Sequence, residues 1–227
     1  MNSINTIDQE LLLFFNGNNS LFFDGIFATL TNGATWLPLY IMLIYIVIRN
    51  NDSMGQIMLV VGASLLCVIL AGGFNDTIIK PLVARLRPCN DSQIMFSLHL
   101  LKGHIPSSYS FFSSHSANTF AIAIFFCWLV RDKLLSLTLV LWALVNVYSR
   151  LYLGVHYPSD ILVGFLWGTF VATMVYFLFN YFYKRITTNA RLISEEYTST
   201  GYQKSDSLII TITFVLTIIY SVFTTII

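Results

Sequence analysis

The stretch Gln56–Asn75, QIMLVVGASLLCVILAGGFN, has no Asp, Glu, Lys or Arg over its whole length. A helix needs about 20 predominantly apolar residues to cross the roughly 30 Å hydrocarbon core of a membrane. Two further stretches, Ile161–Tyr183 and Leu208–Ile227, are also uncharged and apolar. These three stretches predict a protein that crosses the membrane several times.

Three shorter apolar stretches lie near the lower length limit for a span: Ala34–Ile48, Ser116–Val130 and Leu134–Tyr148. Each can extend into flanking polar residues without burying a charge. We therefore predict an all-α, integral membrane bundle of six transmembrane helices in residues 34–227. Residues 1–33 mix apolar residues with a polar run at 16–20 and with Asp24, and this pattern favours short N-terminal interfacial helices over a seventh span.

The composition of the chain favours the same class of protein. Of the 227 residues, 56% are hydrophobic and only 10% are charged, whereas soluble domains average about 25% charged residues. Disorder needs low hydrophobicity and high charge, and a net charge of +1 argues against nucleic acid as a partner. The three cysteines are too few and too scattered for a disulfide framework or a zinc site.

The basic residues indicate an orientation in the membrane. If six spans alternate, the side opposite the N-terminus holds Arg49, Arg131, Lys133, Lys184, Arg185, Arg191 and Lys204. The N-terminal side holds Lys80, Arg85, Arg87, Lys102 and Arg150. Three of these five are assigned a function below, which leaves a bias of seven to two. Because basic loops stay in the cytoplasm, we expect a multi-pass protein of the cell inner membrane whose N-terminus and long loop, residues 76–115, face the periplasm or the outside.

Three polar clusters fall at the outer ends of the predicted spans. They are KPLVARLRP at 80–88, SFFSSH at 110–115, and a third that runs from Ser149-Arg150 to HYPSD at 156–160. Bundling of the helices would bring the three together. Their cations Lys80, Arg87 and Arg150 outnumber the nearby acids, which predicts an anionic ligand. Arg is suited to bidentate contact with phosphate, and Lys acts as a point charge.

The remaining polar residues of the clusters predict chemistry on that anion. His156 precedes Asp160 by four residues, and a carboxylate on one ring nitrogen fixes the tautomer and raises the basicity of the other. We expect His156 to be a nucleophile and His115 to be the acid that protonates a leaving oxygen. Ser113 and Ser114 add donors at a helix N-terminus, where the dipole favours negative charge. Together these residues predict phosphoryl transfer to a histidine.

Other interpretations stay open at this stage. Lys80 and Arg87 could anchor a helix end at the interface, and Ser113 and Asp160 could act as helix caps. The two histidines with Asp160 could bind a metal, although they lack a ligand-pair spacing. An anion transporter would show charges at mid-membrane or internal repeats, and neither is present in the sequence. A catalytically inactive scaffold is a further alternative.

Taken together, the clusters resemble the type 2 phosphatidic acid phosphatase superfamily, whose motifs are K-x6-R-P, P-S-G-H and S-R-x5-H-x3-D. The first motif is matched completely by Lys80, Arg87 and Pro88. The third is matched completely by Ser149, Arg150, His156 and Asp160. The second is altered: Ser113 and His115 are kept, and Phe112 and Ser114 replace the proline and the glycine.

The resemblance implies a six-helix bundle with its active site at the outer leaflet. In that family the histidine matching His156 attacks phosphorus, the aspartate matching Asp160 orients it, and the histidine matching His115 protonates the leaving group. The phosphoryl oxygens are bound by the residues matching Lys80, Arg87, Ser113 and Arg150, and we expect Ser114 to contribute its N–H. The resemblance implies no metal and no other cofactor, and it implies inhibition by vanadate.

The expected substrate is a membrane lipid phosphate, because an active site at the end of membrane helices suits a lipid whose tail stays in the bilayer. The short chain and the F-S-S-H variant are most similar to bacterial phosphatases of the lipid A group, including those acting on the 4′-phosphate. The alternatives are phosphatases of undecaprenyl pyrophosphate, phosphatidylglycerol phosphate or phosphatidate. Soluble vanadium haloperoxidases have a similar site, but the predicted spans argue against them. The sequence carries no indication of oligomeric state.

Overall fold

The computed structural model describes residues 3–17, 20–101, 103–187 and 195–226. Its helices are α1 (Ser3–Asn16), α2 (Leu21–Leu30), α3 (Leu37–Arg49), α4 (Met54–Val83), α5 (Ser114–Val130), α6 (Lys133–Tyr152), α7 (Pro158–Ile186) and α8 (Lys204–Ile226). Within the described ranges, the β pairing consists of one isolated bridge between Tyr197 and Gln203. The all-α prediction is confirmed. Lys102 and Arg191, both used in the orientation argument, lie outside the described residues.

Four of these helices, α4, α6, α7 and α8, are long and apolar enough to cross a membrane. A fifth span results if α2 and α3 count as one broken helix, since the pair is bent by 67° at a short break. Helix α5 is apolar but has only 17 residues. The chain is a multi-pass membrane protein, and the count of six spans stays a prediction.

Helix α4 extends further than the sequence predicts. Instead of ending at Asn75, it continues to Val83 through two π-helical turns, Ile69–Gly73 and Asn75–Ile79. The polar residue at the predicted end does not stop the helix, because the buried Asn75 side chain donates to the carbonyl of Phe112 at 2.6 Å. The expectation that a loop begins at residue 76 is therefore wrong, and Lys80 lies on the last turn of a helix.

Helices α5 and α7 approach each other closely at the end of the bundle that carries the predicted site. A Cβ atom at Gly164 would lie 2.6 Å from the carbonyl oxygen of Ser113, and one at Gly168 would overlap the carbonyl oxygen of Ala117. Small residues four apart allow such contact between membrane helices. The approach fixes the start of α5, which carries His115, against the start of α7.

The two N-terminal helices are joined to the same end of the bundle by buried polar contacts. On α1, the Asn16 side chain donates to the carbonyls of Tyr152, at 2.6 Å, and His99, at 2.9 Å. On α2, the Asp24 carboxylate lies 2.9 Å from His99 Nε2 and accepts from the Tyr152 hydroxyl at 2.7 Å. Residues 1–33 thus contribute to the bundle through specific contacts, and a domain boundary at residue 33 remains a prediction.

Candidate active site

A cavity of about 760 Å³ lies where α4 ends and α5 begins. It is lined by Asp76, Lys80, Pro81, Arg87, Pro106, Ser107, Ser108, Tyr109, Ser114, His115, Arg150 and His156. All three polar clusters of the sequence contribute to this wall, so the structure brings them together at one end of the bundle. Of the predicted site residues, Ser113 and Asp160 are fully buried outside the cavity wall.

The imidazole of His156 is buried, and its two nitrogens have different partners. Nε2 lies 3.0 Å from Nη1 of Arg87. A guanidinium can only donate, so Nε2 carries the lone pair and the proton of the neutral ring belongs on Nδ1. Nδ1 faces Asp160 Oδ2 at 3.5 Å and the hydroxyl of Ser110 at 3.4 Å. This tautomer places a nitrogen with a lone pair at the cavity wall.

Burial also keeps the His156 ring neutral. Desolvation, reinforced by the positive charges of Arg87 and Arg150, lowers the pKa of His156 to about 3, although Asp160 acts in the opposite direction. The ring therefore remains neutral, with its proton on Nδ1 and the Nε2 lone pair available, at pH values well below the ordinary pKa of histidine.

The Asp160 carboxylate combines both roles that the sequence allows. It accepts from the backbone N–H of Tyr157 at 3.1 Å, which caps α7. It also accepts from the Ser110 hydroxyl and, at 2.7 Å, from Nη1 of Arg85. A carboxylate held on several sides in this way can orient the His156 ring without moving itself.

Arg87 and Arg150 both line the cavity, and each is held by different partners. Arg87 is held by two loops, since it donates to the carbonyl of Ser108 at 2.7 Å and to that of Val155 at 3.0 Å. Arg150 donates to the Thr31 hydroxyl at 2.6 Å. Its buried Nε has no hydrogen-bond partner among the described residues. An unpaired buried donor beside a cavity indicates a site for an anion.

Lys80 is paired with the acid of the cavity wall. Its ammonium lies 2.6 Å from Asp76 Oδ1, and the Ser114 hydroxyl donates to the same oxygen at 2.7 Å. Ser114 occupies the position of the glycine in the P-S-G-H motif. Its hydroxyl, which glycine lacks, donates the hydrogen bond to Asp76. The described wall carries three cations, Lys80, Arg87 and Arg150, against the single carboxylate of Asp76. The cavity retains positive charge for a ligand.

Ser113 and His115 flank Ser114 at the start of α5. The Ser113 hydroxyl accepts from the backbone N–H of Ser116 at 3.3 Å and caps the helix. A phosphate contact of Ser113 therefore stays a prediction. His115 lies on the first helical turn, with its side chain exposed at the cavity. Within the described residues, no group of three or more His, Cys, Asp or Glu side chains is arranged to hold a metal ion.

Sequence reasoning missed two residues that contact Asp160. Arg85 lies inside the first cluster, where the sequence indicates only a loop charge, and Ser110 opens the second cluster without a role that the sequence indicates. The sequence carries one signal for Arg85. A basic residue in a loop predicted to lie outside the cytoplasm is an exception to the positive-inside rule, and such an exception indicates a structural or functional role. Ser110 has no spacing relation that would have revealed it.

Comparison with known proteins identifies relatives over most of the chain. The profile of the PAP2 superfamily matches residues 60–187. The chain is 38% identical to a lipid A 4′-phosphatase of Bacteroides thetaiotaomicron, over 77% of this chain and 78% of the relative. It is 28% identical to a lipid A 4′-phosphatase of Porphyromonas gingivalis, over 80% of this chain and 76% of that protein. An undecaprenyl-diphosphatase of Sulfolobus acidocaldarius is 27% identical over 72% of this chain and 74% of its own.

A solved structure shares the fold. The transmembrane PAP2-type phosphatidylglycerolphosphate phosphatase from Bacillus subtilis superposes with a TM-score of 0.60 at 20% identity, covering 84% of this chain and 90% of that one. The family profile covers more than half of the chain and contains all three motifs, whose residues meet at one cavity. The resemblance is confirmed: the chain belongs to the PAP2 superfamily and is a multi-pass membrane phosphatase.

Proposed function

We propose that this enzyme removes the 4′-phosphate of lipid A through a phosphohistidine formed on His156. The observation that carries the proposal is the 38% identity to a lipid A 4′-phosphatase over most of both chains. The cavity supports it, since positive charge surrounds a neutral, oriented histidine at one end of a membrane bundle. Such a place lets a lipid keep its acyl chains in the bilayer while its phosphate reaches the cavity.

In the first half of the reaction, the phosphoryl group takes over the Arg87 N–H that holds Nε2 of His156 at 3.0 Å in the free enzyme. The released lone pair attacks phosphorus, a P–N bond forms, and the P–O ester bond breaks. Asp160 stabilises the positive charge that develops on the ring. His115 lines the same cavity and gives a proton to the leaving oxygen of the lipid. Desolvation and the cations Arg150, Lys80 and Arg87 lower the pKa of His115 in the free enzyme, so the ring takes up this proton from water once the bound phosphate dianion has neutralised those cations.

In the second half, water hydrolyses the phosphohistidine. His115, now neutral, accepts a proton from the attacking water, a P–O bond forms and the P–N bond to His156 breaks. Inorganic phosphate leaves and the enzyme is restored. In both halves, Lys80, Arg87 and Arg150 stabilise the negative charge on the equatorial oxygens of the transition state. Such electrostatic stabilisation is usually the largest single contribution to catalysis of phosphoryl transfer.

We place the enzyme in the inner membrane with the cavity on the periplasmic side. The distribution of the basic residues supports this orientation. Lys80, Arg87 and Arg150 line the cavity and are left out of the count. Of the other basic residues, seven lie on the side opposite the N-terminus and two on the N-terminal side. Green fluorescent protein inserted after Asp52 is expected to fluoresce, and alkaline phosphatase fused after Gly103 to be active. The opposite pair of results would reverse the orientation.

Mass spectrometry of lipid A from cells with and without the gene tests the substrate. We expect loss of one phosphate, at the 4′ position, only when the active gene is present, and a His156→Ala gene should behave as the empty control. An unchanged phosphate number would overturn lipid A as the substrate. Undecaprenyl pyrophosphate is then the first alternative, because a 27% identical relative is an undecaprenyl-diphosphatase.

A further inference from the structure

A single guanidinium joins two buried carboxylates that are far apart in the chain. Arg85 Nη1 lies 2.7 Å from Asp160 Oδ1, and its Nη2 lies 2.7 Å from Asp8 Oδ2. The side chains of Asp8 and Asp160 are 5% and 0% exposed. Carboxylates so deeply buried need a cation, because the cost of desolvation is otherwise uncompensated.

Arg85 is held in place from several directions. Its guanidinium stacks on the ring of Tyr157, 3.9 Å from the ring centre, and Nη1 also donates to the Ser159 hydroxyl at 2.8 Å. Its backbone carbonyl accepts from the N–H of Ser110 at 2.9 Å. Ser110 is the residue whose hydroxyl donates to Asp160. Arg85 therefore controls both oxygens of Asp160, one through its side chain and the other through its backbone.

The second carboxylate belongs to helix α1. Asp8 accepts from the backbone N–H of Ser159 at 2.8 Å and from the Ser159 hydroxyl, both in the first turn of α7. The far end of α1 is fixed by Asn16, which donates to the carbonyl of Tyr152 at 2.6 Å. Helix α1 is thus attached at two points around the loop that carries His156.

We propose that Arg85 is a positioning residue for Asp160 and that, by bridging Asp160 to Asp8, it makes helix α1 a working part of the active site. The proposal rests on the catalytic roles given above for His156 and Asp160. Arg85 does not line the cavity, so it acts on the rate through Asp160 and not by binding phosphate. With Oδ1 held by Arg85, the other oxygen remains directed at the His156 ring.

A double-mutant cycle between Arg85 and Asp8 tests this inference. Arg85→Met leaves two buried carboxylates without their shared cation, and we expect kcat to fall about 10- to 100-fold with KM nearly unchanged. Asp8→Asn alone is expected to lower kcat only a few-fold. In the Arg85→Met background, Asp8→Asn should restore part of the lost kcat because it removes one of the two unpaired charges.

Additive losses in the double variant, or a wild-type kcat for Arg85→Met, would overturn the proposal. Arg85→Lys keeps a cation that cannot bridge both carboxylates, and it should fall between wild type and Arg85→Met. If Arg85→Met does not fold, the Lys variant and Asp8→Asn decide the question, since a wild-type kcat in both would refute the bridge.

The same measurements separate this inference from the proposed function. If His156→Ala still turns over lipid A, the phosphohistidine mechanism fails. If His156→Ala is inactive and Arg85→Met behaves as wild type, the mechanism stands and only the role of Arg85 fails. Arg49→Met, which removes an arginine paired with a buried aspartate at the other end of the bundle, is the matched control and should leave kcat unchanged.

Discussion

The two ends of the helix bundle use the same residue types for different purposes. At the end away from the cavity, Arg49 lies 2.6 Å from Asp206 and donates to the Gln203 side chain at 2.8 Å. Asn50 completes the ring, since it donates to Asp206 at 2.7 Å and accepts from the backbone N–H of Gln203 at 2.8 Å. Every charge in this ring is matched, and its groups tie α3 to α8.

At the cavity end the charges do not balance. Lys80, Arg87 and Arg150 share the wall with one carboxylate, that of Asp76. The buried Nε of Arg150 is left without a partner among the residues described. In the ring at the far end, the charged groups bind one another and stabilise the fold, so no charge remains to bind a ligand. At the cavity, the surplus positive charge and the unpaired donor destabilise the ligand-free fold and favour the binding of an anion. Charge balance, and not charge content, separates structure from function here.

The strongest test of this contrast removes the proposed nucleophile. His156→Ala should lower the rate of phosphate release from lipid A by at least about 10³-fold, because the proposed covalent intermediate forms on His156. Purified protein in detergent is assayed for released phosphate. Because His156 is buried, His156→Gln serves as a second variant of closer volume. Turnover within 10-fold of wild type in both variants would show that the nucleophile lies elsewhere.

A smaller loss is expected when one cation of the surplus is removed. Arg87→Met should lower kcat/KM about 10²- to 10³-fold, since preorganised donors to the transition state contribute on this scale. It should also weaken inhibition by vanadate, which mimics the pentacoordinate phosphorus. Steady-state kinetics with and without vanadate check both effects. Undiminished vanadate inhibition would remove Arg87 from the phosphate site.

The complementary change at the far end should affect stability alone. Arg49→Met leaves the nearly buried Asp206 carboxylate with fewer partners, and we expect a loss of about 1–3 kcal/mol in the free energy of unfolding. Thermal denaturation in detergent measures the loss, and kcat should stay within two-fold of wild type. A large fall in kcat at unchanged stability would mean that the two ends are functionally coupled.

The last prediction concerns a pH range over which the protonation of His156 should not change. Because the pKa of His156 is lowered to about 3 in the folded protein, an unfolded chain takes up this proton first, near the ordinary value of about 6.5. The stability contributed by the neutral ring is therefore complete above pH 6.5 and is lost as pH falls from there toward 3. In ¹⁵N NMR, the His156 signal, assigned by its absence in His156→Gln, should keep the neutral pattern between pH 7 and 5. A midpoint near 6.5 would contradict the burial argument.

Much of this architecture follows from the sequence, since hydropathy locates a helix for each predicted span and three motifs contain the cations and histidines of the cavity wall. The contacts that complete the site do not follow. Arg85 meets Asp8 across 77 residues and Asp160 across 75, and no local spacing rule relates residues so far apart. The close approach at Gly164 is hidden for the same reason, because glycine in an apolar span has many possible roles.

Helix α4 extends beyond its predicted end for a different reason. Gly72-Gly73 followed by Asn75-Asp76 is a pattern that normally ends a membrane helix. Here the buried Asn75 side chain finds partners in Phe112 and Ser114, and that tertiary compensation is not visible in the local sequence.

The two π-helical turns of α4, Ile69–Gly73 and Asn75–Ile79, set the direction in which the side chains beyond them point. In an α-helix each residue advances the side chain by about 100° around the axis, and a π turn accommodates one additional residue. Everything beyond the turns, including Lys80, therefore points in a direction that a regular helix would not supply. A one-residue deletion within either turn would therefore convert it to a regular α-helical turn and leave Lys80 on the cavity wall.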